Sequence, residues 1–196
     1  SLTIGFVLYV PSSLFFSRLE RFLEAKLDAN ILIYDNSPNP VIHPCLTNAR
    51  VEVIGRKGNN GLGRAMHDLG KHCYSSGVKF WLYFDQDTEF NAETIKFIKK
   101  FIREKEIWPD SIASVFFTNK KGLHDEAEKR QQHKEVILPH HSGMLFYLPA
   151  LETIGWHNPN VFLDCLDYEY CLRVRTNKMK IIEVRDVVGI DHSTNK

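Results

Sequence analysis

The sequence predicts an α/β fold, with a mostly parallel central sheet flanked by helices in a single domain. Short apolar runs alternate with amphipathic helical stretches through the first half of the chain, which is typical of parallel strands joined by crossover helices. Acidic residues directly follow several of these runs, as they do at a sheet edge that binds ligands. The chain has 196 residues, of which 43% are hydrophobic, and this is enough to bury one core. We therefore expect one domain over residues 1–196.

The first half of the chain is expected to hold four strands and two helices. Pro11-Ser12-Ser13 would end the first strand and cap the first helix, and Gly77 would close the second helix. A loop is expected at residues 35–38 because of its composition. The predicted strands cover residues 3–10, 30–34, 51–54 and 80–84, and the predicted helices cover residues 14–26 and 61–76.

The second half is expected to add one long helix and several shorter elements. Asn91 would cap the long helix, whose apolar stripe has helical spacing and indicates core packing, and Trp108-Pro109 would end it. Residues 119–134 are charged and have no period, so they predict a mobile loop. Strands are predicted at residues 111–117, 136–138, 144–148, 180–184 and 187–190, with short helices at 149–154 and 168–176.

Composition excludes several classes of function. Lysine and arginine (25) nearly balance aspartate and glutamate (24), so no broad basic field exists and no nucleic-acid partner is expected. The longest apolar stretches, residues 4–10 and 80–84, are too short to span a bilayer, and no signal-peptide pattern opens the chain. The four cysteines are scattered and lack a paired zinc spacing, which predicts reduced thiols in a cytoplasmic protein.

Acidic residues stand at the carboxyl ends of two predicted strands. Asp35 follows the second strand, and Asp85 and Asp87 follow the fourth. If the backbone stays extended, Asp85 and Asp87 lie on the same side of the strand, and such a pair suits a hard divalent cation that keeps positions open for phosphate oxygens. Acidic pairs after strands also occur in ordinary solvated loops, so this motif alone leaves both interpretations open.

A second acidic cluster contains Asp164, Asp167 and Glu169 within six positions. Bulky apolar residues beside it would give a partly dry setting in which one carboxylate could serve as a base. Asp167 also stands where a helix should begin, and there a carboxylate can simply cap the helix and compensate its dipole. The spacing does not choose among the three acids.

Six short motifs follow one another along nearly the whole chain. They are Val7-Leu8-Tyr9-Val10-Pro11, Tyr34-Asp35-Asn36-Ser37, Asn59-Asn60-Gly61-Leu62-Gly63-Arg64-Ala65, Phe84-Asp85-Gln86-Asp87, His141-Ser142-Gly143 and Asp167-Tyr168-Glu169-Tyr170-Cys171-Leu172-Arg173. In this order they resemble the motifs of family-2 inverting glycosyltransferases with the GT-A (nucleotide-diphospho-sugar transferase) fold. The likeness is greatest to the rhamnosyltransferase branch, in which a glutamine often separates the two aspartates.

The resemblance implies a nucleotide site at the start of the chain. Tyr9 and Asp35 would hold the nucleotide base, with the Asp35 carboxylate accepting a hydrogen bond from a pyrimidine N–H. Arg56 lies where these enzymes often place a basic residue near the nucleotide, and Lys57 and Arg64 compete for that role.

The resemblance also implies a metal-assisted donor site. Asn59 and Gly61 match the turn before the helix under the donor, and Asp85 would face the ribose or reach the metal through water. Asp87 would bind Mg²⁺ or Mn²⁺ directly, and His192 matches a position that often touches the metal or the diphosphate. The cation would neutralise charge on the departing diphosphate.

On the acceptor side, the resemblance assigns Asp167 as the catalytic base. It would deprotonate the acceptor hydroxyl as that oxygen attacks the anomeric carbon, and such a single displacement inverts the anomeric configuration. Gly143 would allow close backbone approach, and Trp156 and Glu169 would contact the acceptor. Arg173 is expected to be a structural or diphosphate-facing partner.

The implied reaction is transfer of a sugar from a dTDP-, UDP- or GDP-sugar to a glycan or lipid-linked acceptor in surface polysaccharide synthesis. L-rhamnose from dTDP-rhamnose is the implied donor sugar. Two residues depart from the family pattern: Val10 stands where an asparagine or similar polar residue is common, and His67 stands where an asparagine is frequent. Relatives often continue beyond this length, so we expect a C-terminally truncated catalytic domain that associates peripherally with the inner face of the plasma membrane through the missing segment.

Two alternatives from other classes remain at this point. A non-catalytic module that binds sugar nucleotides or glycans would use the same fold, but it has no need of a base such as Asp167. A nucleotidyltransferase would show a glycine-rich, basic phosphate loop directly after the first strand. This chain has Tyr9-Val10-Pro11-Ser12-Ser13 there instead.

Overall fold

The structure, a computed structural model, describes residues 2–55, 58–104, 110–119 and 133–191. The strands are β1 Leu2–Leu8, β2 Asn30–Asp35, β3 Val51–Gly55, β4 Phe80–Asp85, β5 Ile112–Phe117, β6 His133–Val136, β7 Met144–Tyr147 and β8 Lys180–Val184. The helices are α1 Ser13–Glu24, α2 Leu62–Ser75, α3 Ala92–Glu104, α4 Leu148–Ile154 and α5 Leu166–Thr176, with one 3₁₀ turn at Pro44–Thr47.

All eight described strands form one sheet in the order β3-β2-β1-β4-β7-β5-β8-β6. Neighbouring strands from β3 to β4 run parallel, β7 runs antiparallel between β4 and β5, and β5 is parallel to β8. The edge strand β6 is antiparallel to β8. The predicted mostly parallel α/β sheet is therefore confirmed.

Helices cover both faces of the sheet and divide the core in two. Helices α1 and α3 pack on one face, around Phe6, Phe84 and other fully buried side chains. Helices α2, α4 and α5 pack on the other face, around Trp81 and Phe146. Alternate residues of each central strand supply the two cores, as expected for strands that are buried on both sides. No helix within the described ranges is long and apolar enough to cross a membrane.

Several predicted boundaries need correction. The strand predicted at residues 136–138 lies at 133–136, because the backbone that pairs with β8 precedes the apolar pair Ile137-Leu138, whose side chains are exposed. Residues 187–190 do not form a strand: the backbone turns at Gly189, with φ +90°. The Val187 N–H donates to the Thr118 carbonyl at 3.1 Å, and the following Asp191 forms an isolated bridge with Glu89.

Smaller shifts concern the ends of elements that were correctly predicted. The first strand ends at Leu8 rather than residue 10, and Val10 turns the chain with φ +45°. Helix α5 begins at Leu166, directly after Cys165 at φ +66°. The segment predicted as a mobile loop lies mostly outside the described residues, as do Trp108 and Pro109.

Candidate active site

The carboxyl ends of β1, β2 and β4 meet at one edge of the sheet and bring three of the predicted residues together. Tyr9 follows β1, whereas Asp35 and Asp85 are the last residues of β2 and β4. Because β2 lies on one side of β1 and β4 on the other, the order of the strands reverses here. Such a switch point opens a crevice between the loops, and ligands of open α/β sheets bind in this crevice.

Asp85 lies in a largely dehydrated position at this edge. Its Oδ1 accepts a hydrogen bond from the Tyr83 hydroxyl at 2.8 Å, and its backbone N–H donates to Ser142 Oγ at 3.0 Å. Burial raises the pKa of Asp85, the Tyr83 hydrogen bond opposes this effect, and the negative charges of Asp87 and Asp167 raise the pKa further. The three carboxylates are therefore close enough to repel one another.

Gln86, between the two aspartates, fastens the loop after β1. Its Oε1 accepts from the Tyr9 backbone N–H at 2.9 Å, and its Nε2 donates to the Tyr9 carbonyl at 3.1 Å. The next backbone N–H, that of Val10, donates to Ser37 Oγ at 3.0 Å. These bonds leave the Tyr9 side chain about half exposed, at 48%, on the rim of the crevice.

Asp35 is fully buried and organises the loop that follows β2. Its Oδ1 accepts from the Ser37 N–H at 3.1 Å, and its Oδ2 accepts from the Val41 N–H at 2.7 Å. The predicted hydrogen bond from a nucleotide base to this carboxylate requires residues 37–41 to open. That role remains a prediction.

The loops after β2 and β3 are interlocked by two asparagines. Asn36 Nδ2 donates to Asn59 Oδ1 at 2.9 Å, and Asn36 Oδ1 accepts from the Asn60 N–H at 2.7 Å. Asn59 Oδ1 also accepts from the Gly61 N–H at 3.0 Å. The predicted donor-site turn is thus held rigidly next to β2. Arg56 and Lys57 lie outside the described residues.

The start of α2 is clamped against the loop at residues 158–162. The N–H groups of Leu62 and Gly63 donate to the carbonyls of Phe162 and Val161 at 2.5 and 3.1 Å. A Cβ on Gly63 would lie 2.2 Å from the Val161 oxygen, and Gly61, at φ +84°, also has no room for one. These glycines permit close packing of protein against protein, and the first amides of α2 are already bonded.

Asp167 lies in the first turn of α5, in the second half of the chain, and is close to Asp85. His141 Nδ1 lies 2.7 Å from Asp167 Oδ1, at ion-pair distance rather than in ideal hydrogen-bond alignment. Burial acts to raise the pKa of Asp167, but the contact with His141 outweighs it, so the pKa lies below its ordinary value. The carboxylate is therefore ionised near neutral pH. Its side chain is 39% exposed.

His141 and Ser142 join the two acidic groups. While His141 contacts Asp167, Ser142 Oγ accepts from the Asp85 N–H and lies 2.7 Å from Thr88 Oγ1. Gly143 then bridges the neighbouring strands: its N–H donates to the Tyr83 carbonyl at 2.8 Å, and its own carbonyl accepts from Phe117. With φ +86°, position 143 favours glycine for a backbone reason, in addition to the predicted close approach of a ligand.

Two predicted acceptor residues have structural contacts. Glu169 accepts both hydrogen bonds of an Arg173 fork, at 2.8 and 3.0 Å, and Arg173 in turn donates to the Gly155 carbonyl. Arg173 is therefore a structural partner. The structure does not bring Trp156 to the carboxyl edge, because its ring packs on Gly70 and Tyr74 in the far half of α2. The acceptor role of Trp156 stays a prediction.

The described residues fit a divalent cation only together with a ligand. Within the described ranges, no three His, Cys, Asp or Glu side chains are grouped to hold a metal. Mg²⁺, however, is commonly held by one or two carboxylates together with substrate phosphates and waters. Asp85 and Asp87 provide such a pair, and their mutual repulsion would be relieved by a cation. His192, the third predicted metal ligand, lies outside the described residues.

A groove of about 750 Å³ lies between α2 and the ends of β2 and β3. Its lining includes Tyr34, Ile54 and Lys71, together with Asn60 and Arg64 of the predicted donor region, but not Asp85, Asp87 or Asp167. Its charged groups are largely paired already, for example Arg64 with Asp68 at 3.1 Å. The acids, rather than this groove, define the candidate site.

Comparison of the chain with family models and with curated protein sequences gives no match. Among solved structures, S. aureus TarS is similar with a TM-score of 0.68 at 15% identity, over 97% of this chain and 36% of that one. TarS 1-349 in complex with UDP gives 0.65, and in complex with UDP-GlcNAc 0.61, both at 15% identity and 97% coverage of this chain.

The present chain covers 59% and 57% of those two shorter TarS chains, and thus spans less than two thirds of the length of each of these TarS chains. At 15% identity the likeness concerns the fold. The eight-stranded sheet and its flanking helices therefore have the same fold as TarS, which confirms the predicted fold class.

Proposed function

We propose that this chain is the catalytic domain of an inverting glycosyltransferase that uses a nucleotide-sugar donor. One observation carries the proposal: the consecutive residues His141 and Ser142 contact Asp167 and the Asp85 backbone, which brings an exposed carboxylate to the switch point of the sheet. A module that only binds a sugar nucleotide does not require an ionised carboxylate opposite its phosphate-facing acids.

In the proposed reaction, the acceptor hydroxyl oxygen attacks the anomeric carbon of the donor. The bond from that carbon to the diphosphate oxygen breaks, and the nucleoside diphosphate leaves with the electron pair. The hydroxyl proton passes to Asp167, whose carboxylate is ionised near neutral pH and can therefore accept it. Because attack and departure occur on opposite faces of the sugar, the anomeric configuration inverts.

Asp85 and Asp87 are proposed to face the diphosphate with Mg²⁺ or Mn²⁺. When bound, the cation would supply charge neutralisation for the leaving group. Gln86 would keep the Tyr9 backbone next to this diphosphate position. The roles of Tyr9, Asp35 and Arg56 in base binding, and of His192 at the metal, rest on the resemblance to family-2 enzymes.

The donor is proposed to be a pyrimidine nucleoside diphosphate sugar. TarS 1-349 has been crystallised with UDP and with UDP-GlcNAc, which supports a uridine donor. The rhamnosyltransferase-like motifs favour dTDP-L-rhamnose instead, and the two nucleotides present the same N–H and carbonyl groups on the base edge. The proposed acceptor is a glycan or lipid-linked glycan of a surface polysaccharide, and the proposed location is the cytoplasmic side of the membrane.

Calorimetric titration of UDP, dTDP and GDP, with Mn²⁺ and with EDTA, tests the donor site. We expect a pyrimidine diphosphate to bind only with the cation, and Asp87→Ala to abolish this binding. Glu93→Ala is the matched control, because Glu93 is an exposed acid at the start of α3 and its carboxylate pairs with Lys96. Absence of binding by all three nucleotides would contradict the proposal and favour a module of another kind.

The base assignment is tested by Asp167→Asn, with Asp164→Asn as the control on the neighbouring exposed acid. Asp167→Asn should keep donor and metal affinity but lose transfer by about 10²–10⁴-fold, the usual contribution of a general base. Asp164→Asn should behave as wild type. Near-normal turnover by Asp167→Asn would remove Asp167 from the mechanism.

A further inference from the structure

His141 is a buried imidazole that the proposed reaction does not use. Its side chain is 3% exposed, whereas the Asp167 side chain in front of it is 39% exposed. The Nδ1 to Oδ1 distance is 2.7 Å. The imidazole therefore stands behind the carboxylate, on the side away from solvent, where it contacts the base without being able to reach a substrate itself.

Aromatic rings hold the imidazole of His141 from several sides. The ring centroids of His157, Phe146 and Tyr170 lie 4.9, 5.5 and 5.5 Å from it, and each of these rings meets it edge-on, at 84°, 66° and 65°. His157 and Tyr170 stack on each other at 5.2 Å and are fully buried. Since packed rings of this kind resist rotation, the imidazole has a fixed orientation.

The polar edge of His141 has one partner in the described part of the chain. Nε2 is buried and has no hydrogen-bond partner among the described residues, so the contact between Nδ1 and Asp167 is the only polar contact of the ring there. A buried polar group is retained at a cost unless it is paired. Burying an imidazole at this position therefore costs more folding free energy than burying a phenyl ring would. The contact that offsets this cost is the one with Asp167, the proposed base.

We propose that His141 is the positioning residue for Asp167: the aromatic cage fixes the imidazole, and the imidazole fixes the carboxylate in the orientation that meets the acceptor hydroxyl. This inference rests on the proposed function, and it assigns a role to a residue that touches neither donor nor acceptor. Misplacing a reacting group by about 1 Å can cost about 100-fold in rate, so a residue that only orients the base has a measurable effect.

Two substitutions separate the polar contact from the filling of the cage. His141→Asn keeps an amide nitrogen at about the place of Nδ1 but leaves part of the cage empty. His141→Phe fills the cage but has no N–H. A positioning role predicts that kcat falls about 10–100-fold in His141→Phe and less than about tenfold in His141→Asn, with donor KM changed less than about twofold in both.

The reverse ranking would overturn the proposal. If His141→Phe retains turnover while His141→Asn loses it, the ring serves only to fill the core. Unfolding in urea, measured on both variants, shows that activity is compared on folded protein. Absence of turnover in the wild-type chain would count against the proposed function rather than against the pairing of His141 with Asp167.

A measurement that needs no turnover distinguishes failure of the proposed function from failure of the His141–Asp167 pairing. In metal-free protein labelled with ¹³C at aspartate carboxyl groups, the Asp167 signal, assigned with Asp167→Asn, reports its titration directly. His141→Phe should move this titration to higher pH, and His141→Asn should move it less. The other titratable groups that act on or lie near Asp167 include Tyr83, Asp85, Asp87, His140 and Cys171, and all of them are present in both variants. An unchanged titration in His141→Phe would overturn the pairing.

Discussion

Substituting Gly63 by alanine sets helix propensity against packing. Alanine is favoured over glycine by up to about 1 kcal/mol within a helix, so propensity alone predicts a gain in stability even at Gly63, the second residue of α2. The added Cβ, however, would lie 2.2 and 2.4 Å from the carbonyl oxygens of Val161 and Asn158, which are backbone atoms that cannot rotate away. Overpacking costs about 1–3 kcal/mol, and separating the loop weakens two backbone hydrogen bonds at about 0.5–1.5 kcal/mol each. We expect a net loss of about 3 kcal/mol.

Gly70→Ala is the matched control, because the same change in the same helix meets side chains rather than backbone. Its Cβ would lie 3.1 Å from Trp156, a side chain that can shift by a few tenths of an ångström, and 3.4 Å from the buried Trp81, which is an ordinary van der Waals contact. Urea unfolding with a common m-value should place Gly70→Ala within about 1 kcal/mol of wild type and Gly63→Ala well below both. Equal or higher stability of Gly63→Ala would refute the clamp between α2 and residues 158–162.

Two further predictions concern the loop after β1 and the aromatic cage. Gln86→Ala removes both hydrogen bonds to the Tyr9 backbone and should raise the donor Kd about tenfold by calorimetry, whereas an unchanged Kd would mean that the loop holds its shape without them. Burial lowers the pKa of His157 well below its ordinary value, so below about pH 6.5 only the unfolded chain takes up this proton. Stability should therefore be complete above pH 7 and fall by up to about 1.4 kcal/mol per unit as the pH drops below 6.5. In urea unfolding, His157→Phe should flatten the pH dependence of the free energy of unfolding. The control His72→Asn should not, because the His72 side chain is one-third exposed. If wild type and His157→Phe show the same pH dependence, His157 is not the group responsible.

The strands and helices of the first half could be predicted because each has an uninterrupted pattern. Residues 80–84 form an apolar run followed by acids, and parallel strands necessarily bring such ends to one edge. The pattern at 136–138 misled because Ile137 and Leu138 are apolar yet exposed. At residues 187–190, Val187 and Ile190 are apolar and buried, as the residues of a strand often are. The positive φ of Gly189, however, is incompatible with continuous β-sheet hydrogen bonding.

The internal contacts of the site could not be predicted from the sequence. Asp87 and Asp167 were singled out by motif, but the contact of His141 with Asp167 depends on how α5 packs against β7, and no local pattern encodes that geometry. Likewise, the motif around Asp35 predicts a carboxylate that binds a ligand, but it does not predict that this carboxylate is buried. The burial follows from the hydrogen bonds that Asp35 accepts from the N–H groups of Ser37 and Val41. The His141-Ser142-Gly143 motif carried a usable signal, but His140 stands next to it and the sequence does not distinguish the two imidazoles.

The place of β7 in the sheet has a consequence for how the protein folds. β7 is made after β5, yet it lies between β4 and β5 and pairs with both. Those pairings close long loops, and long-range closures are slow compared with local structure. Asp85 and Asp87 lie at the end of β4, whereas Asp167 follows β7, so the three carboxylates come together only once β7 has paired with both of its neighbours. Recovery of the proposed transferase activity during refolding would therefore report the pairing of β7.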